Sequence, residues 1–82
     1  MSDVKQAIRA YLVDEALDGR PEGDLEEHTN LIEEDILDSL GIFSMIEFLE
    51  ERFAIQVDPA EVVFENFETM NAIEQLVSSK LS

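Results

Sequence analysis

Ser39, Asp38 and His28 come closest to a reactive constellation in this 82-residue chain, and they do not complete one. A serine nucleophile needs a base within reach to take its proton. The only histidine, His28, stands in a polar stretch, and no serine lies in a Gly-x-Ser-x-Gly elbow. His28 reads as a solvated loop residue; Glu26, Glu27 or Glu33 beside it would add donors for a metal, but at no recognised ligand spacing. Cysteine is absent, which excludes disulfides, thiolate nucleophiles and cysteine-held zinc or iron–sulfur centres. The acidic stretches Glu33–Asp38 and Asp58–Glu65 lack the alternating acids, central glycine and closing glutamate of a calcium loop. Glycines at 19, 23 and 41 fit neither a dinucleotide fingerprint nor a phosphate-binding P-loop. The expectation is a protein with no catalytic residues and no resident metal, which is not an enzyme.

Ser39 nevertheless has a distinctive place. It stands where a long connection meets the start of the most amphipathic stretch, so its hydroxyl should be exposed beside backbone N–H groups that lack intrahelical partners. A phosphate attached there would be favoured by the positive end of the helix. The competing reading is that Asp38 or Ser39 is simply an N-cap.

The elements that must hold this serine follow from periodicity. Ser2 can cap a first helix over Asp3–Leu17, in which Val4, Ala7, Ile8, Tyr11 and Leu12 share a face. Gly19-Arg20-Pro21-Glu22-Gly23 should end it. A long ordered loop follows, with Leu25, Leu31, Ile32, Ile36 and Leu37 as apolar pegs. The second helix should run from Asp38-Ser39-Leu40 to Phe53, with Ile42, Met45, Ile46, Leu49 and Phe53 on its core face and Leu40 and Phe43 exposed. Asp58-Pro59-Ala60-Glu61 has the capping acid, proline and third-position glutamate of a helix start, which predicts a short third helix running on through Val62, Val63 and Phe64. Thr69 can cap a last helix carrying Met70, Ile73, Leu76 and Val77. The fold class is therefore all-α: a four-helix bundle with three longer helices, one short third helix, and a long loop between helices one and two. Ala54-Ile55-Gln56-Val57 is too short and isolated to build a sheet.

Size and charge narrow the function. Residues 1–82 suffice for one domain and not for two. A hydrophobic share of 45% supports a core. The formal charge is −15, and no Lys or Arg stands between Arg20 and Arg52. Such a surface repels nucleic acid and anionic lipid and favours basic partners. The N-terminus has charges where a signal peptide needs an apolar run, and no stretch approaches a membrane span, so a cytoplasmic location is expected.

Together these features carry a resemblance. The length, the acidity and a midpoint Asp38-Ser39-Leu40 opening helix two of four resemble the acyl carrier protein family, including its peptidyl and D-alanyl carriers. Asn30 to Leu40 looks like the family's modification loop, Leu49-Glu50-Glu51-Arg52-Phe53 like its helix-two ending, and Ile55 to Pro59 and Asn66 to Thr69 like its entries into helices three and four. The resemblance implies 4′-phosphopantetheine, attached to Ser39 by a separate phosphopantetheinyl transferase, with Asp38 helping to position the metal used in the transfer and Leu40 as an apolar contact. It implies acyl or aminoacyl thioesters, loaded by a ligase and passed to synthase or transferase enzymes with basic docking patches, in lipid or secondary-metabolite biosynthesis. By wheel position the docking face of a monomeric carrier is Leu40, Phe43, Ser44, Glu47, Glu50 and Glu51. The same acids also read as an ordinary solvated face.

The chain departs from fatty-acid-synthesis carriers. Ile36-Leu37, not a small pair, precede Asp38-Ser39, and Gly41-Ile42-Phe43-Ser44 follow with no early acid. That pattern looks closer to D-alanyl, peptidyl or specialised carriers. Tyr11, Phe53, Phe64 and Phe67 are expected to fill the bundle, which favours a short acyl or aminoacyl cargo kept outside the core. The alternative function is an acidic interaction module, a nucleic-acid mimic or unmodified structural subunit, with no prosthetic group.

Overall fold

The computed structural model describes residues 3–17, 23 and 25–81. They form α1 (Asp3–Glu15), α2 (Ser39–Phe53), α3 (Phe64–Phe67) and α4 (Met70–Leu81), with a 3-10 turn over Pro59–Glu61 ahead of α3. The fold is the all-α, four-helix arrangement expected, with three longer helices and a long connection between α1 and α2. No strand occurs among the described residues. Ser2 and the break at residues 19–22 lie outside them.

Each long helix commits one stripe to a shared core. Val4, Ile8 and Leu12 come from α1, Ile42, Met45, Ile46 and Leu49 from α2, and Met70, Ile73, Leu76 and Val77 from α4, all buried at helical spacing. Fully burying a side chain of this kind contributes about 1.5–3 kcal/mol. Helix α4 is the hub, packing on α1, α2 and α3. Its cap is as expected: the Thr69 hydroxyl accepts the Ala72 N–H at 3.0 Å.

The first helix ends two residues before the expected Leu17. Ala16 and Leu17 both donate to the Leu12 carbonyl, at 2.9 Å each, which closes the helix and turns Leu17 into the core. The connection that follows is pinned as the apolar pegs require: Leu25, Leu31, Ile36 and Leu37 are buried, and Ile32 packs against them half-buried. Polar ties complete the attachment. Arg9 Nη1 donates to the Leu25 carbonyl at 2.6 Å, Lys5 Nζ reaches Glu27 at 2.6 Å and Glu74 at 3.7 Å, and the Leu31 N–H donates to the Glu68 carbonyl at 2.6 Å. The hydrogen bond to Glu27 holds the Lys5 ammonium above the ordinary lysine range despite some desolvation, and the same bond holds Glu27 below the ordinary carboxylate range.

The third helix differs from expectation. The Asp58 N–H does donate to Glu61 Oε1 at 2.9 Å, but this reciprocal cap opens only the 3-10 turn. Val62 and Val63 leave helical geometry, Val63 being fully extended (φ −129°, ψ 152°), and α3 starts afresh at Phe64. Adjacent β-branched residues favour that extended backbone. The break also redirects the aromatics. Phe67 is fully buried, whereas Phe64, expected in the core, is 58% exposed. Tyr11 and Phe53 are half-buried at the core's edge, Tyr11 stacked on Phe48 (centroids 4.6 Å apart) and Phe53 beneath the Arg52 guanidinium at 5.2 Å.

Candidate functional site

The start of α2 is built by Asp38. Its backbone is extended (φ −117°, ψ −172°), its Oδ1 accepts the Gly41 N–H at 2.7 Å, and its carbonyl accepts the Ile42 N–H at 2.8 Å. Asp38 is thus the N-cap, and Ser39 the first helical residue, exposed to solvent. Gly41 permits this arrangement, since a Cβ there would lie 3.2 Å from both Asp38 Oδ1 and Leu37 Cδ2. Upstream, the Asn30 side chain accepts the N–H groups of Ile32 and Glu33, and the Leu31 carbonyl accepts those of Ile36 and Leu37. Those bonds, with Ile36 and Leu37 in the core, deliver Asp38 and Ser39 to the helix start in one conformation.

Leu40 and Phe43 are 77% and 56% exposed, as their wheel positions require. Ser44, Glu47 and Glu51 are exposed on the same helix. Ser44 is hydrogen-bonded to Tyr11, whose phenol burial pushes up in pKa while that bond pulls it partly back. Glu50 differs from its neighbours: it is half-buried, and its carboxylate accepts the Val57 N–H at 3.0 Å, bracing the loop that leaves α2. His28 is exposed, 3.1 Å from the equally exposed Glu26. No cluster of three or more metal-ligand side chains occurs among the described residues.

Ser39 also borders a cleft that sequence reasoning did not find. About 180 Å3 in volume, it lies between α2 and the Val62–Phe64 segment and is lined by Ser39, Ile42, Phe43, Val62, Val63 and Phe64. The missed wall is Val62, Val63 and Phe64, read as a continuing helix. The signal that could have shown it is the Val62-Val63 pair directly after a proline-started turn, which favours a break.

The family described as "Phosphopantetheine attachment site" matches residues 6–77, which takes in the whole of this geometry. The chain belongs to that family. A relative of 31% identity over 67 residues, covering 82% of this chain and 76% of the relative, is described as "Probable acyl carrier protein PigG" from a Serratia species. The domain is therefore that of an acyl carrier protein, whose 4′-phosphopantetheine is bound covalently to a serine. The residues present fit such a group. An exposed hydroxyl at the first position of a long helix, as Ser39 has, would let an attached phosphate benefit from the positive end of that helix. Among the described residues no helix is long and apolar enough to cross a membrane.

Proposed function

We propose that Ser39 is the attachment serine of this carrier and that the chain presents acyl or aminoacyl thioesters to partner enzymes while catalysing nothing itself. The observation that carries this reading is the exposed Ser39 hydroxyl directly after the Asp38 cap, at the mouth of a cleft. In the loading step the Ser39 hydroxyl forms a phosphodiester with the phosphopantetheine half of coenzyme A. The pyrophosphate bond breaks, the adenine-nucleotide half leaves, and the serine proton passes to the transferase or solvent. Asp38 has one carboxylate oxygen on the Gly41 N–H, leaving the other for the divalent cation of the transfer. The prosthetic group supplies the thiol that a cysteine-free chain lacks.

The docking surface in this reading is Leu40, Phe43, Ser44, Glu47 and Glu51, with Glu50 adding charge while it braces the following loop. A charge of −15 steers basic enzymes to it, and exposed ion pairs release them readily. Of the apolar residues around Ser39, Ile36, Leu37 and Ile42 are buried, so a preference for dedicated partners over general fatty-acid enzymes would rest on the exposed Leu40 and Phe43. The half-buried Tyr11 and Phe53 and the buried Phe67 support a short acyl or aminoacyl cargo held outside the core. A working location in the cytoplasm is consistent with a coenzyme A-dependent modification.

Intact mass after incubation with coenzyme A, magnesium and a broad-specificity phosphopantetheinyl transferase tests the assignment. One phosphopantetheine should be added to the wild type and none to Ser39→Ala. Addition to Ser39→Ala would move the site elsewhere. No addition to a folded wild type would return the chain to an acidic interaction module.

A further inference from the structure

Gly41 is the third residue of α2 and has helical backbone outside the left-handed region, so conformational freedom does not account for it. Glycine inside a helix weakens it relative to alanine. What the position lacks is room. A Cβ there would stand 3.2 Å from Asp38 Oδ1 and 3.2 Å from Leu37 Cδ2, closer than ordinary van der Waals contact. Leu37 is buried in the close-packed core and Asp38 is exposed, so the carboxylate is the group that would give way. That same carboxylate accepts the Gly41 N–H at 2.7 Å through Oδ1.

The two functional side chains at the start of α2 border different spaces. Ser39 lines the cleft toward Val62–Phe64, whereas Asp38 lines a second cleft of about 380 Å3 on the α1 side, together with Tyr11, Asp35, Gly41 and Ser44. Gly41 therefore stands on the carboxylate's side of the helix start. A side chain there would both press on Asp38 Oδ1 and narrow the space through which Asp38 is reached.

We propose that Gly41 is a positioning residue for the modification of Ser39. By lacking a side chain it holds the Asp38 carboxylate with one oxygen on its own N–H, and it leaves the other oxygen open to the divalent cation of the transfer from the α1-side cleft. This rests on the reading of Ser39 as the attachment serine and of Asp38 as a donor to that cation. In the step concerned the Ser39 oxygen bonds to the phosphorus next to pantetheine in coenzyme A. The pyrophosphate bond breaks, the adenine-nucleotide half leaves with the bonding pair, and the serine proton passes to the transferase or solvent. Magnesium demands near-ideal octahedral geometry, so a donor shifted by a few tenths of an ångström serves it less well.

The test is the magnesium dependence of modification of the full chain by a broad-specificity transferase with coenzyme A, followed by intact mass. Gly41→Ala should raise the magnesium concentration for half-maximal rate roughly tenfold, as for loss of a group that orients a metal donor, with the rate recovering at saturating magnesium. Its melting temperature should stay near or above the wild type, because the helix preference of alanine offsets a weakened cap. Independently of any enzyme, the residue 41 amide should lose protection against hydrogen exchange once intrinsic rates are corrected for. In an Asp38→Ala background the same substitution should leave the magnesium dependence unchanged, since the two residues act as one unit. Wild-type magnesium dependence in Gly41→Ala would overturn the proposal. So would an effect of Gly41→Ala that persists without Asp38, or a variant that fails to fold, which would put the displacement at Leu37. Asp38→Ala modified with wild-type kinetics would remove the part of Asp38 in the transfer and the proposal with it, whereas a wild type that is never modified would remove the reading of Ser39 itself.

Discussion

Lys80 Nζ lies 2.6 Å from Glu61 Oε1, tying the last turn of α4 to the 3-10 turn that leads into the Val62–Phe64 wall of the cleft. The same glutamate accepts the Asp58 N–H through Oε1, and its backbone carbonyl accepts the Asn66 side chain at 2.8 Å. One residue thus holds the break between turn and α3 from three directions.

Glu61 titration follows from that contact. The Lys80 ammonium first, and the Asp58 N–H second, hold its carboxyl below the ordinary carboxylate range. A lowered folded value means that the stabilisation is present above the unfolded value of about 4.3 and is lost as pH falls through the folded one. Glu61→Gln should therefore melt below the wild type at pH 7, with the gap narrowing as pH falls below the unfolded value and through the lowered folded one. Lys5 works in the opposite sense: its raised value makes its contribution complete below about 10.4 and lost as pH climbs past the folded value. Melting curves across both limits check the two signs, and a Glu61→Gln gap that does not change with pH would count against the first.

Asp38 caps α2, and under the proposed function it has a second, separable duty in the transfer. Asp38→Ala removes the cap on α2 and should cost about 1 kcal/mol. Asp38→Asn keeps an oxygen for the Gly41 N–H, so its melting temperature should stay near the wild type while its modification by the transferase slows. Urea unfolding beside intact-mass time courses separates the two. Equal modification rates for Asp38→Asn and wild type would confine Asp38 to capping.

Ala54 closes α2 in the left-handed region, at φ 54° and ψ 46°. A Cβ is unfavourable there by roughly 1–2 kcal/mol, and glycine is not. Ala54→Gly should raise stability by about 1 kcal/mol, read from the urea midpoint, after the loss from glycine's greater unfolded-state entropy is subtracted. A lower midpoint would show that the Ala54 methyl makes a compensating contact.

Charge crowding should be visible in bulk stability. With a formal charge of −15, the domain should melt higher as sodium chloride rises from about 10 to 150 mM, because the screening length shortens from about 30 to 8 Å. Magnesium should act at lower concentration than sodium. A melting temperature indifferent to salt would mean that the acids are spaced too widely to repel.

The sequence alone determined the helices whose signals are local. The stripe Ile42, Met45, Ile46, Leu49 fixed the buried face of α2, and with it the exposure of Leu40 and Phe43, because a helix of 3.6 residues per turn has only one such register. Asp38-Ser39 and Thr69 before Met70 marked two helix starts, since capping is decided within three residues, and the structure chose Asp38 over Ser39 as the cap of α2. Tertiary structure decided the rest. Asp58-Pro59 set a cap, but whether the chain then continued as helix through Val62-Val63 depended on packing that put Phe67 into the core and left Phe64 outside. Glu50 and Glu51 are adjacent acids with the same local preference, and only the fold brings the Val57 N–H to one of them. The cleft at Ser39 is likewise made by two segments some twenty residues apart in sequence. No periodicity records such a meeting, because it is set by where α3 comes to rest against α4.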